Sequence, residues 1–447
     1  MLPSPEERKR MRAEKAVQRA AKQRKQTRVR LIVAAVVLLL CGVLIFALSR
    51  KQSRGGTPDS ADVSNTQQTQ SETTAPAAPE QSTPEKTVIH YVSVGDLNIN
   101  DLTVSAGGAG YDYTEAFMDI AHLLADADVT SVNLEGNLVG EPYGSSASAP
   151  QSMLTALKKA GVDLVQMANS YSIKHGVSGL ATSLDAVRAA GMEPLGAYPT
   201  NEAYQQSKGY TIRNVRGVKI AFVAFTKGMN ITIGVDKDKD SMTLPPGSED
   251  CVNVLYTDYD GGYQEINKEK ILSVLEAVNE EKPDLTVALL HWGSEYNNTI
   301  SQSQKDIAEL LQTNGVDAII GTHSHYVQKM SFDAQSGQFV AYSLGDFFSN
   351  VEWSKKEEKY TVPSGSEYSV ILDLEITKDN TTGETKITGF SYTPIYTVQE
   401  NDQPMRVVRI QQAVEAYENG YYLKVSQETY EKMVYAKERI DARIKSE

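Results

Sequence analysis

The sequence predicts an α/β fold built around a mostly parallel sheet, and two observations lead there. From residue 87 onward, short apolar runs alternate with amphipathic stretches closed by glycine, which is the grammar of βαβ units. Several of those apolar runs also end in Asp, Glu, Asn or His, so polar groups fall at the carboxyl ends of strands, where open α/β sheets gather ligands.

The elements follow in order. Thr87–Val94 reads as a strand leading into Gly95-Asp96-Leu97-Asn98. Glu115–Ala125 is an amphipathic helix, with Ala116, Ile120, Leu123 and Leu124 on one side. Val129–Leu134 is a strand ending at Glu135, and Ser152–Ala160 a helix closed by Gly161. The strand Asp163–Met167 ends at Ala168-Asn169-Ser170, and the helix Gly179–Ala190 is closed by Gly191 ahead of a short strand at Glu193–Gly196. Tyr210–Val215 and Val218–Phe225, joined by Arg216-Gly217, form a hairpin, and residues 228–263, rich in Asp, Gly and Pro, read as a long loop. A helix at Asn267–Glu280 precedes the strand Leu285–Leu290, which ends at His291. A helix at Ser303–Thr313 precedes the strand Val316–Ile320, which ends at Gly321-Thr322-His323-Ser324-His325. Gly321 is expected to turn the chain, and an extended i, i+2 spacing to place both imidazoles on one side. Strands near Lys329–Phe332, Phe339–Ser343, Ser369–Thr377 and Lys386–Thr397 follow, then helices near Met405–Tyr417 and Ser426–Ile444.

The ends of the chain have a different character. Residues 1–30 hold eleven Lys/Arg and three Glu, so against an overall charge of −13 the remaining residues carry −21. That acidic body leaves no basic track for nucleic acid, which is excluded as the main partner. Residues 31–49 are nineteen uncharged residues, roughly 28 Å as a helix, enough for one hydrocarbon core. The basic head sets the N-terminus in the cytoplasm. The expectation is a single-pass cell-membrane protein with its main domain extracytoplasmic; the rival reading is a signal peptide cleaved near Ala47-Leu48-Ser49. Residues 50–86, mostly Ser, Thr, Gln, Pro, Glu and Ala, read as a disordered tether with a reach of roughly 35 Å. The folded domain is then expected over 87–400, with a helical extension over 401–447. Of the two cysteines, Cys41 lies in the apolar segment and Cys251 stands alone in the body, so no disulfide framework exists there.

The candidate ligands are Asp96, Glu135, Asn169, His291, His323 and His325. Each has an ordinary reading: a turn, a helix cap, an Asx-turn, a core histidine or a polar loop. Together, at five successive strand ends, they form the carboxylate–imidazole–amide set that one- or two-metal hydrolases use.

The ordered motifs Gly95-Asp96, Asn133-Leu134-Glu135, Ala168-Asn169, His291-Trp292-Gly293-x-Glu295-Tyr296, Gly321-x-His323-x-His325-x-x-Gln328 and Tyr342-Ser343-Leu344-Gly345 resemble the CapA family of bacterial poly-γ-glutamate capsule biosynthesis proteins. The resemblance spans roughly residues 88–350. It implies a four-layer αββα sandwich like that of calcineurin-like metallophosphoesterases, here preceded by one transmembrane helix. It also implies a divalent metal (Mn, Zn or Fe), and as partners an envelope polymer or other membrane-bound capsule biosynthesis proteins. Asp96, Glu135, His291, His323 and His325 would hold the metal, with Glu295 orienting an imidazole. One motif departs. Where the family reads Ala-Asn-Asn-His-x-x-Asp-x-Gly, this chain has Ser170, Tyr171 and Lys174, so the expected ligand-and-acid pair is missing and His175 is the available replacement. Three functions follow from this: a metal-assisted hydrolase or transferase in capsule production, a non-catalytic member that binds polymer or partner, or a phosphoesterase. The acidic body repels a polyanion, so polymer binding would rest on the metal and on Lys174, Lys227 or Lys329.

Overall fold

A computed structural model describes residues 85–233, 238–349, 365–400, 403–421 and 425–446. The basic head, the apolar segment 31–49 and all but the end of the tether lie outside the described residues. Among the described residues, no helix is long and apolar enough to cross a membrane.

Two mixed sheets carry the fold. The first contains β1 (Lys86–Asn98), β2 (Val129–Glu135), β3 (Leu164–Gln166) and β4 (Glu193–Leu195) in parallel. On the other side of β1 it continues antiparallel through β14 (Tyr368–Asp379), β15 (Thr385–Val398) and β16 (Arg406–Arg409). The short β13 (Asp346–Phe348) joins the end of β1 in parallel, pairing Asp346 with Asp96. The second sheet runs β11 (Met330–Asp333), β12 (Gln338–Ala341), β10 (Ala318–Thr322), β9 (Leu285–His291), β6 (Val218–Thr226), β5 (Tyr210–Val215). Its four inner strands are parallel and its two edges antiparallel. A parallel core with antiparallel edges is what βαβ crossovers and terminal hairpins produce together.

Strand alternation decides what each face packs against. In β6, Ile220, Phe222 and Ala224 point into a core shared with Ile89, Tyr91, Val129 and Leu164 of the first sheet. Ala221, Val223 and Phe225 point the other way, onto Ile271 and Leu275 of α7 (Lys268–Glu280) and Ile307 and Leu311 of α8 (Gln302–Thr313). The far face of the first sheet packs on Phe117, Leu124, Leu154 and Leu184 from helices between its strands. Helix, sheet, sheet and helix therefore stack in that order. Tyr91 meets Phe222 edge-on between the sheets, ring centroids 5.5 Å apart.

Several elements differ from expectation. The helix expected at Glu115–Ala125 is two short ones, Thr114–Phe117 and Ala121–Ala125. Residues 228–263 are not one loop: they open with the hairpin β7 (Met229–Ile233) and β8 (Asp238–Met242). The helix expected from Met405 begins only at Ile410, because Arg406–Arg409 pair with β15 as β16. The helices α9 (Ile410–Glu418) and α10 (Gln427–Ile444) pack on that strand pair, burying Ile410, Met433, Ala436, Ile440 and Ile444 in the inter-sheet core.

Gly321 also serves a different purpose from the one expected. It lies inside β10, and a Cβ there would stand 2.0 Å from the Tyr342 carbonyl oxygen and 2.3 Å from Trp292 Nε1. The requirement is close approach of neighbouring chains, which only Gly permits. Gly321→Ala is expected to destabilise the protein by about 2–3 kcal/mol or more, read as a lowered melting temperature. A wild-type melting temperature in that variant would contradict the packing described here.

Candidate metal centre

The carboxyl ends of β1 and β2 in one sheet meet the ends of β9 and β10 in the other. Asp96, Glu135, His291, His323 and His325 are all buried there. Ligand atoms of Glu135, His291 and His323 lie within 4.8 Å of one another, and so do those of Asp96, Glu135 and His325. Glu135 is common to both groups. A buried set of two carboxylates and three imidazoles suits a first-row divalent cation.

Hydrogen bonds orient these groups. Asp96 accepts from the Asn133 amide through Oδ1, and from the His323 backbone N–H through Oδ2 at 2.9 Å. The Asn133 amide nitrogen also lies 3.2 Å from His291 Nδ1, and Thr322 Oγ1 stands 3.2 Å from the same atom. Asn169 donates to Asn133 Oδ1 at 3.1 Å and to the Leu134 carbonyl at 2.7 Å. His325 Nδ1 lies 2.8 Å from Asp346 Oδ1, which fixes that ring nitrogen as the protonated one and leaves Nε2 for a ligand or a substrate. The Tyr296 ring stacks on His325, centroids 4.8 Å apart.

Glu135 Oε1 is 2.9 Å from His291 Nε2, yet it makes no aligned hydrogen bond to any donor among the described residues. Two buried ligand atoms in contact without hydrogen-bond alignment are what a shared cation would satisfy. The donor set therefore fits a divalent metal.

The two histidines after β10 are not in extended backbone. His323 has φ 86° and His325 φ 58°, the left-handed region that costs a non-glycine residue on the order of 1–3 kcal/mol. Their rings are brought together by this strained turn (centroids 6.2 Å apart), not by strand alternation as expected.

Other expected residues fall elsewhere. Asn169, expected as a ligand, turns its Oδ1 to the Tyr171 backbone N–H at 3.0 Å, an Asx-turn, and uses its amide to hold Asn133. His175 precedes α5 (Gly176–Ala189), with Nε2 2.8 Å from the Ser146 carbonyl, and belongs to neither ligand group. Glu295 is half-buried, and its charge acts on His291, Glu135 and Tyr296. Ser170 places Oγ 3.0 Å from His291 Nε2. The sequence reading missed Asn133 as an orienting group, although it lies two residues before Glu135, a spacing that keeps it on the same strand face. It also missed Thr322. Trp292 is structural, buried with Nε1 donating to the Tyr342 carbonyl at 2.9 Å.

Burial dominates the electrostatics. It pushes the Asp96 carboxyl up to about 7, aided by the charges of Glu135 and Asp346 and opposed by His291 and His325. Burial likewise pushes Glu135 up to about 8. Burial pulls His291 down to about 3, against the pull of Asp96. For His325 burial also acts downward, but Asp346, Glu135 and Asp96 together outweigh it and hold the imidazole up at about 10. Raised carboxyl values mean that the folded state holds protons the unfolded chain has lost. Their stabilising contribution is complete below about pH 4 and is lost as pH rises through about 7 to 8. The lowered His291 value contributes above its ordinary value near 6.5 and does not offset that loss. Metal-stripped protein is therefore expected to lose thermal stability from pH 6.5 to pH 9. Added Mn²⁺ should raise the melting temperature more at pH 9 than at pH 6.5. A cation shift independent of pH would contradict this.

Comparisons with known proteins agree with the motifs. Residues 44–351, more than half of the chain, match the family model described as bacterial capsule synthesis protein PGA_cap. The chain is 26% identical over 264 residues to the capsule biosynthesis protein CapA of Bacillus anthracis, covering 57% of each protein. It is 23% identical over 207 residues to the PGA biosynthesis protein CapA of Bacillus subtilis (strain 168), covering 46% of this chain and 47% of that protein. The match thus spans about half the length of these curated relatives. Among solved structures, the calcineurin-like phosphoesterase YfkN of Bacillus subtilis aligns with TM-score 0.42 and 14% identity, over 79% of this chain and 99% of that one. A phosphatase from Mycoplasma pneumoniae aligns with TM-score 0.40 and 14% identity, over 69% and 94%. On the extent of the family match, the chain belongs to the PGA_cap family of bacterial capsule synthesis proteins, the CapA family that its motifs resemble.

Proposed function

We propose that this protein is anchored in the cell membrane with its main domain outside, and acts in the synthesis of a capsule or related envelope polymer as a metal-dependent hydrolase or transferase. The observation that carries the chemistry is the pair of buried ligand groups sharing Glu135. Glu135, His291 and His323 would hold one cation; Asp96 and His325, also with Glu135, would complete the site. When bound, a divalent cation polarises a carbonyl or phosphoryl oxygen and makes a bound water more acidic.

The chain's own groups do the rest. Asn133 and Asn169 keep Asp96 and His291 in register. Asp346 holds a proton on His325 Nδ1, so a cation binding at this ring would displace only the proton on Nε2. Tyr171, half-buried, has its phenol pushed up by burial and by the charges of Glu135, Glu295 and Asp346. It stays protonated and serves as a hydrogen-bond donor, not as the ready acid that a histidine would be.

A second reading has its own support. With His175 turned to the Ser146 carbonyl and Tyr171 at the acid position, the chain fits a non-catalytic member that binds polymer or partner. A phosphoesterase proper is a weaker form of the first reading, since Asn98 and Ser170 stand where such enzymes place ligands.

Metal analysis of the purified full chain is expected to find Mn, Zn or Fe. Glu135→Gln should lower metal affinity by at least about tenfold and abolish any turnover of polymer. Metal at background level in the wild type would end the catalytic reading. Bound metal with polymer binding but no turnover would favour the second. For the anchor, the full chain should stay with membranes through alkaline extraction, and a variant lacking residues 31–49 should be released. Release of both would remove the membrane proposal.

A further inference from the structure

The loops that carry the candidate ligands do not end at the metal centre. After His291, the chain passes Glu295 and Tyr296 and reaches Asn298, Thr299 and Ile300; after His325, it passes Tyr326 and reaches Gln328 and Lys329. These later residues, together with Arg439, Ala442 and Arg443 at the end of α10, line a cleft of about 680 Å³. Four cationic side chains border the cleft, Lys305, Lys329, Arg439 and Arg443, and no acidic residue is among its lining. On a body carrying −21, that concentration of positive charge is local and specific.

None of the four cations makes an ion pair with a carboxylate among the described residues. Arg439 donates to the Tyr435 hydroxyl at 2.8 Å. Arg443 lies over the rings of Tyr326 and Tyr368, 4.9 and 5.4 Å from their centroids, and its Nη1 is buried with no hydrogen-bond acceptor among the described residues. A buried guanidinium nitrogen without an acceptor is costly unless a ligand supplies one. An aromatic ridge links cleft and centre: His325 stacks on Tyr296, Tyr296 meets Tyr326 edge-on with centroids 6.1 Å apart, and Tyr326 carries Arg443.

We infer that this cleft binds the carboxylates of an anionic polymer strand and leads it over the aromatic ridge to the metal centre. The inference rests on the capsule-polymer reading and adds to it a binding cleft, outside the metal centre, for the polymer strand. The guanidinium fork and two ammonium groups suit successive carboxylates along an extended strand. They also overcome at short range the repulsion from the acidic body.

The test uses the full-length protein and fluorescently labelled poly-γ-glutamate, with binding read by anisotropy. The paired variant Lys329→Gln/Arg439→Gln, both at half-buried or exposed positions, is expected to weaken binding at least tenfold with an unchanged melting temperature. Chelator-stripped wild type should bind within about threefold of the untreated protein. Binding lost on chelation but unaffected by the paired variant would overturn the cleft and leave the metal-centre reading standing. Binding lost in the variant but kept on chelation supports the cleft whatever the fate of the metal reading. Inorganic polyphosphate binding as tightly as the carboxylate polymer would overturn the substrate class.

Discussion

The carboxylate of Asp96 joins the two halves of the site. One oxygen accepts from Asn133 on the neighbouring strand of its own sheet, and the other from the His323 backbone N–H in a loop of the opposite sheet. Its own backbone N–H donates to the Gly345 carbonyl at 3.0 Å, next to the strand that brings Asp346 to His325. A fully buried carboxylate needs such partners, because removing it from water unpaired is expensive. The segment entering β13 can lie against β1 only with Gly95 bare, since a Cβ there would stand 1.8 Å from the Gly345 oxygen. Inter-sheet packing and site geometry are thus one constraint.

The rest of the centre is held under electrical tension. Acids and imidazoles are buried together with few solvating groups, so Asp96 and Glu135 resist ionisation while His325 keeps its proton. The strained backbone at His323 and His325 adds to that cost. Strain of this kind persists where the surrounding structure over-determines it, and such places cluster at functional sites. A divalent cation would relieve both the carboxylate repulsion and the misaligned Glu135–His291 contact.

The altered third motif has a clear structural consequence. Ser170 stays beside His291, so the position is still part of the centre, but it offers a short hydroxyl in place of an amide, and the neighbouring Tyr171 phenol is held protonated by burial. What remains is a centre that can bind and polarise more readily than it can protonate a leaving group. A basic cleft reached from the same two loops suits a protein that holds an anionic strand close to such a centre.

Much of the site was legible in the sequence, because ligands at strand ends are a local signal. Asp96, Glu135, His291, His323 and His325 each follow an apolar run and can be read without knowing what the run packs against. The helices closed by Gly161 and Gly191 were equally local. What the sequence could not decide was orientation. Whether Asn169 offers its oxygen to a metal or to the Tyr171 N–H depends on a turn of three residues and on Asn133 from another strand. Whether His175 replaces a lost acid depends on the Ser146 carbonyl, twenty-nine positions away. Gly321 is required by Tyr342 and Trp292, and the basic cleft by the meeting of α10 with loops more than a hundred residues earlier. The sequence by itself determined which groups are available at the strand ends. Only the tertiary structure decided which of them face one another, because facing depends on long-range packing and on backbone strain that no local pattern encodes.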